Sequence, residues 1–449
     1  MSTLIGYLLL VSMGVLLMGA ITRPTWALSL LLVQYPLEQL IQSYVIFFVQ
    51  RNELFNVIIG LLAITSLGLK LFSRHNPLQA SLNSVGSLCI LYYALASVSI
   101  LWSPTQQDAF EILRPGLSYV LMFIILGPLL IDRIDEVREF FIVTLVLSTI
   151  IAIMVLTSPN GEFIRGRFNL RLGGVGLKES NPLAMSDLGA FLVLAAVTLN
   201  LTRKSILILF ARVVGGIVGT GLLLASSSRG QVVAAGMVAL IFYPVSVQVK
   251  SLYQFIVRAT LFIALTFMLL IGASVFKGQS AGTEKRWDSA ELSDASAIRF
   301  ENIGTLLIEF GKRPKAWALG LGTGGFAAYE KSAHEPYVHN MIIESLGEFG
   351  IVGFLVFMAM LYATTTCAVR LLKLCWDDPD TRATAASLVA INVFQFLISN
   401  KQGNVWVSTQ MFTTFLLMAR VERIATSESL YTDPISEVED SAGFGHVHT

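Results

Sequence analysis

A histidine at the mouth of an apolar run, two glutamates four residues apart and a set of arginines between hydrophobic segments are the side chains here best suited to chemistry. His339 and Asn340 open MIIESLGEFGIVGFLVF (341–357), where Glu344 and Glu348 fall on one helical face. An imidazole titrates near neutral pH, so His339 is equipped to take or hold a proton. Gly350 and Gly353 in the same run would let another helix approach closely. Arg229, in SSSRGQVV, stands at the end of an apolar run beside Ser226, Ser227 and Ser228. A guanidinium at membrane depth is costly and tends to be functional, although at a helix end it can reach back to water. The segment SPNGEFIRGRFNLRLGGVGLKESN (158–181) sets Arg165, Arg167, Arg171 and Lys178 against Glu162 and Glu179. That surplus suits an anionic ligand, or else contact with lipid phosphates.

What must position these groups is a membrane bundle. Of 449 residues, 54% are hydrophobic and 14% charged, where a soluble domain carries about 25% charged residues. The net charge of +1 points to neither nucleic acid nor an acidic partner. Apolar segments recur between residues 4 and 275 and between 341 and 421, enough for about 12 to 14 spans of roughly 20 residues. The segment 26–49 contains Pro36 and Glu38 and reads as one kinked span or a broken pair. The N-terminal MSTLIGYLLLVSMGVLLMGAI lacks a basic leader and reads as a retained first span. Cys89, Cys367 and Cys375 have no metal or disulfide spacing and read as packing residues. The chain thus divides into spans over 1–275 (with the 158–181 loop), a long loop at 276–340, further spans over 341–423 and a flexible tail at 424–449. His446 and His448 in that tail are too sparse to argue for a metal.

Lys and Arg set the orientation. Alternate connections carry Lys70 and Arg74; Arg133 and Arg138; Arg203 and Lys204; Lys250 and Arg258; Arg370, Lys373 and Arg382; Arg420 and Arg423. That register is assigned to the cytoplasm, together with the C-terminus. Segments 102–114, 158–181, 226–229, 276–340 and 400–403 then face the other side. The side of the N-terminus stays open. Trp26, Trp102, Trp376 and Trp406 sit at span ends, as interfacial anchors do.

Within the long loop, IRFENIGTLLIEF (298–310) places Ile298, Ile303, Leu306, Leu307 and Phe310 at helical spacing, with Glu301, Asn302 and Thr305 between them. This predicts an amphipathic helix lying on the membrane or over a cavity. Pro314 follows, then GLGTGGF (320–326), which lacks the Lys-Ser/Thr of a phosphate loop. It reads as a tight turn, or as close backbone approach to a ligand. His334 stands in ordinary loop.

Taken in order, these features resemble the O-antigen ligase and polysaccharide polymerase family of bacterial membrane glycosyltransferases. The features are Arg167 and Asn181-Pro182, Ser228-Arg229-Gly230, Arg299 opening a loop helix, Pro314 and the glycine turn, and His339-Asn340 leading into Glu344, Glu348, Gly350 and Gly353. The resemblance implies an all-α polytopic protein of the bacterial inner membrane, with one long periplasmic loop containing amphipathic helices. It implies a glycan donor on undecaprenyl diphosphate and an acceptor hydroxyl that displaces the lipid diphosphate. His339 would be base or orienter, with Arg229 and Arg299 at the reaction centre. Arg167, Arg171, Asn340, Glu344 and Glu348 would bind substrate. No external Asp-x-Asp motif is present, so transfer without a metal or cofactor is expected, with inversion if displacement is direct. The expected product is an exopolysaccharide or O-antigen built from repeat units. The alternative within the family is ligation of finished glycan to a lipid A core. Flippase and chain-length regulator proteins would be partners. A transporter or flippase is the reading from another class. The lack of an internal repeat argues against it, as does an expected concentration of polar residues outside the membrane.

Overall fold

The computed structural model describes residues 2–73, 83–173, 178–202, 205–249, 251, 253–257, 260, 289–328, 338–402 and 404–432. In chain order the helices are α1 (Ser2–Thr22), α2 (Pro24–Tyr44), α3 (Ile46–Gln50), α4 (Asn52–Ser73), α5 (Ser84–Val98), α6 (Gln106–Tyr119), α7 (Gly127–Leu129) and α8 (Ile134–Leu156). Then come α9 (Pro182–Thr198), α10 (Ile206–Ala225), α11 (Arg229–Val247), α12 (Ser289–Gly311), α13 (Pro314–Leu319), α14 (Met341–Leu374), α15 (Pro379–Gln402) and α16 (Thr409–Thr432). A π-helical stretch, Val120–Leu126, joins α6 to α7. Most of the 255–275 span lies outside the described residues, as do Arg74, Arg203, Lys204, Lys250, Arg258, His334, His446 and His448.

The chain is an all-α, multi-pass membrane protein: among the described residues, nine helices are long and apolar enough to cross a bilayer. Three more helices in the bundle miss that composition for a physical reason. Helix α9 has only 17 residues. Helices α2 and α16 are diluted by polar side chains, many of them buried against protein. On α2, Gln34, Glu38, Gln39, Gln42 and Ser43 are all buried. This corrects the expectation that polar residues gather outside the membrane: a polar stripe runs through the bundle itself. Position in the bundle follows. The apolar stretch of α15 is 72% buried, against 22% for α1 and 28% for α10, so α15 is central and the other two are peripheral. Pro36 sits inside an unbroken α2, and the chain turns extended only at Val45, so the 26–49 segment is one continuous helix followed by the short α3.

The segment 158–181 folds into strands that the sequence reading did not foresee. Strands β1 (Gly161–Ile164), β2 (Arg167–Leu172) and β3 (Lys178–Glu179) pair antiparallel in that order. Arg165 and Gly166 form a two-residue turn at φ 49° and 74°, the left-handed pair that a tight hairpin demands. Phe168, Leu170 and Leu172 alternate inward and join the main core. The hairpin is tied to the end of α2: Tyr44 Oη meets Ser158 Oγ at 3.0 Å, Asn160 Nδ2 donates to Ser43 O at 2.7 Å, and Gly173 N donates to Gln42 O at 2.9 Å. We call this the hairpin end. At the opposite, basic end, Lys70 Nζ lies 2.8 Å from Asp132 and donates to Leu130 O at 2.9 Å. Arg420, 1% exposed, pairs with the same aspartate.

The described part of the long loop makes a small cap with its own core of Leu306, Ala316, Leu321, Phe326 and Val338. Ile303 and Phe310 of α12 pack on it. Ile298 and Leu307 are exposed, and polar Asn302 is buried. The helix is therefore longer than 298–310, and its inward stripe is narrower than the apolar spacing suggested. The cap is joined to α14 through glycine backbone. Gly320 at φ 76° and Gly350 at φ 67° are left-handed, and a Cβ on either would run into the other segment's carbonyl, Glu348 O or Ala318 O. Leu321 N donates to Gly347 O and Gly322 N to Glu348 O, both at 2.8 Å. The helical path of α14 breaks at Gly350 to admit these bonds.

Candidate functional site

The head of α14 is built from its cap inward. Asn340 Oδ1 accepts the N–H groups of Ile342 and Ile343 at 3.1 and 3.0 Å, closing the helix N-terminus. Just before it, half-buried His339 holds φ 59°, a conformation that non-glycine residues hold mainly where surroundings over-determine it. One turn in, the buried carboxylate of Glu344 accepts the backbone N–H of Val405, while its Oε2 has no partner. Ser345 pairs with Tyr92 of α5. Glu348 accepts backbone N–H groups from Gly324 and Phe326 and so braces the glycine turn. Of the two glutamates, Glu344 is the one with an oxygen to spare; Glu348 is occupied holding the cap.

Arg229 begins α11, after Ser227 at φ 50° and the N-cap Ser228. Its Nη1 is buried and makes no hydrogen bond. The neighbours are polar. Lys401 Nζ lies 3.2 Å from Ser228 Oγ, and the lysine chain packs over Gly230. Gln231, fully buried, donates to Asp187 Oδ1 at 2.7 Å. The hairpin-end termini of α9, α11 and α15 thus meet around Asp187, Gln231, Ser228 and Lys401.

The hairpin arginines differ. Arg167, Asn169 and Arg171 share the face of β2 opposite its apolar residues. Arg171 is exposed and paired with Glu162, whose hydrogen bond and charge push the guanidinium above its ordinary pKa. Arg167 is half-buried, and its Nε is buried without a partner. Arg299 lies on α12 four, seven and eleven residues before Ile303, Leu306 and Phe310, hence on the inward stripe, one turn beyond the small core.

The segments that carry Arg229 and His339 each touch the region between the end of α15 and the start of α16 through a neighbouring residue. Lys401, near the end of α15, adjoins Ser228, and Val405, in the connection that follows, adjoins Glu344. Beneath lies a cavity of about 400 Å³, among whose lining residues are Gln34, Glu38, Asn56, Asp187, Gln395 and Gln410. Sequence reasoning missed this group. Gln34, Glu38 and Gln42 recur at i, i+4 and i+8, a helical stripe of polar residues that was legible in QYPLEQLIQ. Asp187, Gln231 and Lys401 are single polar residues in three separate segments, and only packing brings them together. The chain matches no protein-family model and no curated protein sequence.

Proposed function

We propose that the protein is a membrane glycosyltransferase that moves glycan from a lipid diphosphate donor to an acceptor hydroxyl at the hairpin end, in polymerisation of exopolysaccharide or O-antigen units. The observation that carries this reading is the pair of buried guanidinium nitrogens, Arg167 Nε and Arg229 Nη1, without partners. Buried donors of this kind are normally satisfied, and a guanidinium presents paired N–H groups suited to phosphate oxygens. In the reaction the acceptor oxygen bonds to the anomeric carbon while its proton passes to His339. The bond from that carbon to the phosphate oxygen breaks, and its electron pair leaves on the lipid diphosphate. Arg229 stabilises that growing charge, with Arg167 and Arg299 reaching the donor from hairpin and cap. Asn340 and Glu344 line the approach to His339. The hairpin end faces the periplasm and the C-terminus the cytoplasm of a bacterial inner membrane. In intact spheroplasts of a cysteine-free variant, Arg165→Cys should react with an impermeant maleimide and Lys373→Cys should not.

The test of activity is release of lipid diphosphate and growth of glycan from purified lipid-linked donor in detergent. Products longer than one unit support polymerisation; transfer only to lipid A core supports ligation. The acidic lining of the bundle cavity favours a second reading, transport. Donor-independent solute flux in proteoliposomes, with no glycan growth, would replace the first reading with this one.

A further inference from the structure

The cavity beneath the site has a chemistry of its own. It is continuous in its lining with two smaller recesses through Tyr35: one of about 60 Å³ shares Asp187, Gln395 and Gln410, and one of about 230 Å³ shares Glu38 and Asn181. Asp187 lies five residues inside α9, Glu38 six and Gln34 ten residues inside the hairpin end of α2. At 1.5 Å per residue the recess reaches about 15 Å from that end, roughly half the hydrocarbon thickness. Among the described residues no Lys or Arg lines the main cavity, so none of them offers a diphosphate a counter-charge there. The lining instead mixes the carboxyl side chains of Glu38 and Asp187 with carboxamide and hydroxyl groups, able to donate and accept, and with the aromatic rings of Tyr35, Tyr119 and Trp406. Three of its polar atoms are buried without partners: Gln34 Oε1, Ser408 Oγ and Trp406 Nε1, on residues 3%, 5% and 4% exposed. They are two acceptors, one of them also a donor, and one further donor, on lining residues from two parts of the chain, α2 and the connection between α15 and α16.

We infer that this cavity is a binding site for a neutral, hydroxyl-rich sugar, the acceptor end of the glycan. Vicinal hydroxyls both donate and accept, which matches a lining of amides and hydroxyls. The apolar face of a pyranose matches aromatic rings. The volume lies in the range of small-molecule sites. A metal cation fits less well, because among the described residues no group of three or more His, Cys, Asp or Glu is placed to hold one. The inference rests on the transferase reading for the word acceptor, but not for the site.

The experiment is saturation-transfer NMR on the full-length protein in nanodiscs, with the methyl glycosides of glucose, galactose, mannose and N-acetylglucosamine as probes. At least one should receive saturation at its ring protons. Gln34→Leu and Gln410→Leu, on different helices, should weaken that probe about tenfold or more, as loss of a hydrogen bond to a buried partner does. Arg229→Ala should bind it as wild type does. No transfer to any of the four probes overturns the inference, and so does binding unaffected by both Leu variants in protein with unchanged thermal unfolding. Sodium-dependent stabilisation lost in Asp187→Asn, without sugar binding, also overturns it in favour of a cation site. Sugar binding in a protein that transfers no glycan leaves the site standing and removes the transferase reading. Glycan transfer whose acceptor KM is indifferent to both Leu variants does the reverse.

Discussion

Arg420 at one end of the bundle and Arg229 at the other are guanidiniums drawn into a protein interior, and their surroundings differ in kind. Arg420 donates Nε to Ile131 O at 3.0 Å and pairs with Asp132, which also takes Lys70 at 2.8 Å. Nearby, Arg382 leaves Nε unpartnered, but it donates Nη1 to Trp376 O at 2.6 Å and lies over the Trp376 ring. Lys70, Asp132 and Arg420 close on one another and tie α4, α16 and the turn before α8. At the hairpin end Arg229 and Arg167 each keep a buried nitrogen unmatched, and Glu344 keeps a buried oxygen unmatched. The first arrangement holds a fold. The second leaves buried polar atoms unmatched, the feature on which the proposed donor site rests.

The comparison breaks most decisively on one pair of variants. Arg229→Ala should lower glycan transfer by about 10²- to 10³-fold, as removal of a single oxyanion donor does, with little change in thermal unfolding. Arg229→Lys should recover only part, because an ammonium lacks the planar fork. Arg420→Ala should do the opposite. It leaves Asp132 and Lys70 at a broken buried network, a loss of about 3–5 kcal/mol seen as a lower Tm. Full activity of the Arg229→Lys variant would sink the phosphate assignment, and unchanged stability on losing Arg420 would sink the contrast.

His339→Ala should reduce turnover by about 10²-fold at unchanged donor binding. Near-normal activity in a folded protein would remove the imidazole from the mechanism.

A pH series sharpens the contrast from the other end. Burial pushes the Asp132 carboxyl up, but the hydrogen bonds and charges of Lys70 and Arg420 outweigh it and hold the group below the usual carboxylate range. A depressed folded pKa contributes stability that is present above the unfolded value, about 3.9, and is lost as pH falls through the folded one. Thermal stability should therefore drop as pH is lowered through and below about 4, and Asp132→Asn should flatten that drop. An unaltered slope in the Asn variant would assign acid sensitivity elsewhere. The smallest effect is expected at Arg171→Ala. This exposed side chain is already matched by Glu162, so transfer and Tm should both stay near wild type. A severe transfer defect there would place Arg171 on the donor beside Arg167.

Much of the bundle was legible because membrane spans depend on composition over many residues. The hydrophobic runs marked α1, α4, α8, α10 and α14, and Asn340 was placed at the head of α14 by the boundary between loop and run. The less legible parts are those where one residue serves distant chain. Glu348 read as a partner of Glu344 on a helical face, yet its oxygens are used by Gly324 and Phe326, and spacing within α14 carries no trace of that turn. The strands over 161–172 were hidden by charge. The alternation of Phe168, Leu170 and Leu172 with Arg167, Asn169 and Arg171 is there, but the Arg surplus drew attention to ligand chemistry first. Helix α2 was recognised as odd through Pro36 and Glu38, but its polar stripe has meaning only once α9 lies against it and α15 lines the same cavity.

The joint between cap and α14 has a consequence for how freely the sequence can change. Its bonds run from Leu321 N and Gly322 N to carbonyls 347 and 348, so they are indifferent to what the participating side chains are. A saturation mutagenesis scan of 312–328 should show broad tolerance at outward positions such as Trp317 and Leu319, broken by sharp intolerance at Gly320 and Gly322, where φ is 76° and 89°. Much of the cap's lettering could then drift while His339 keeps its address.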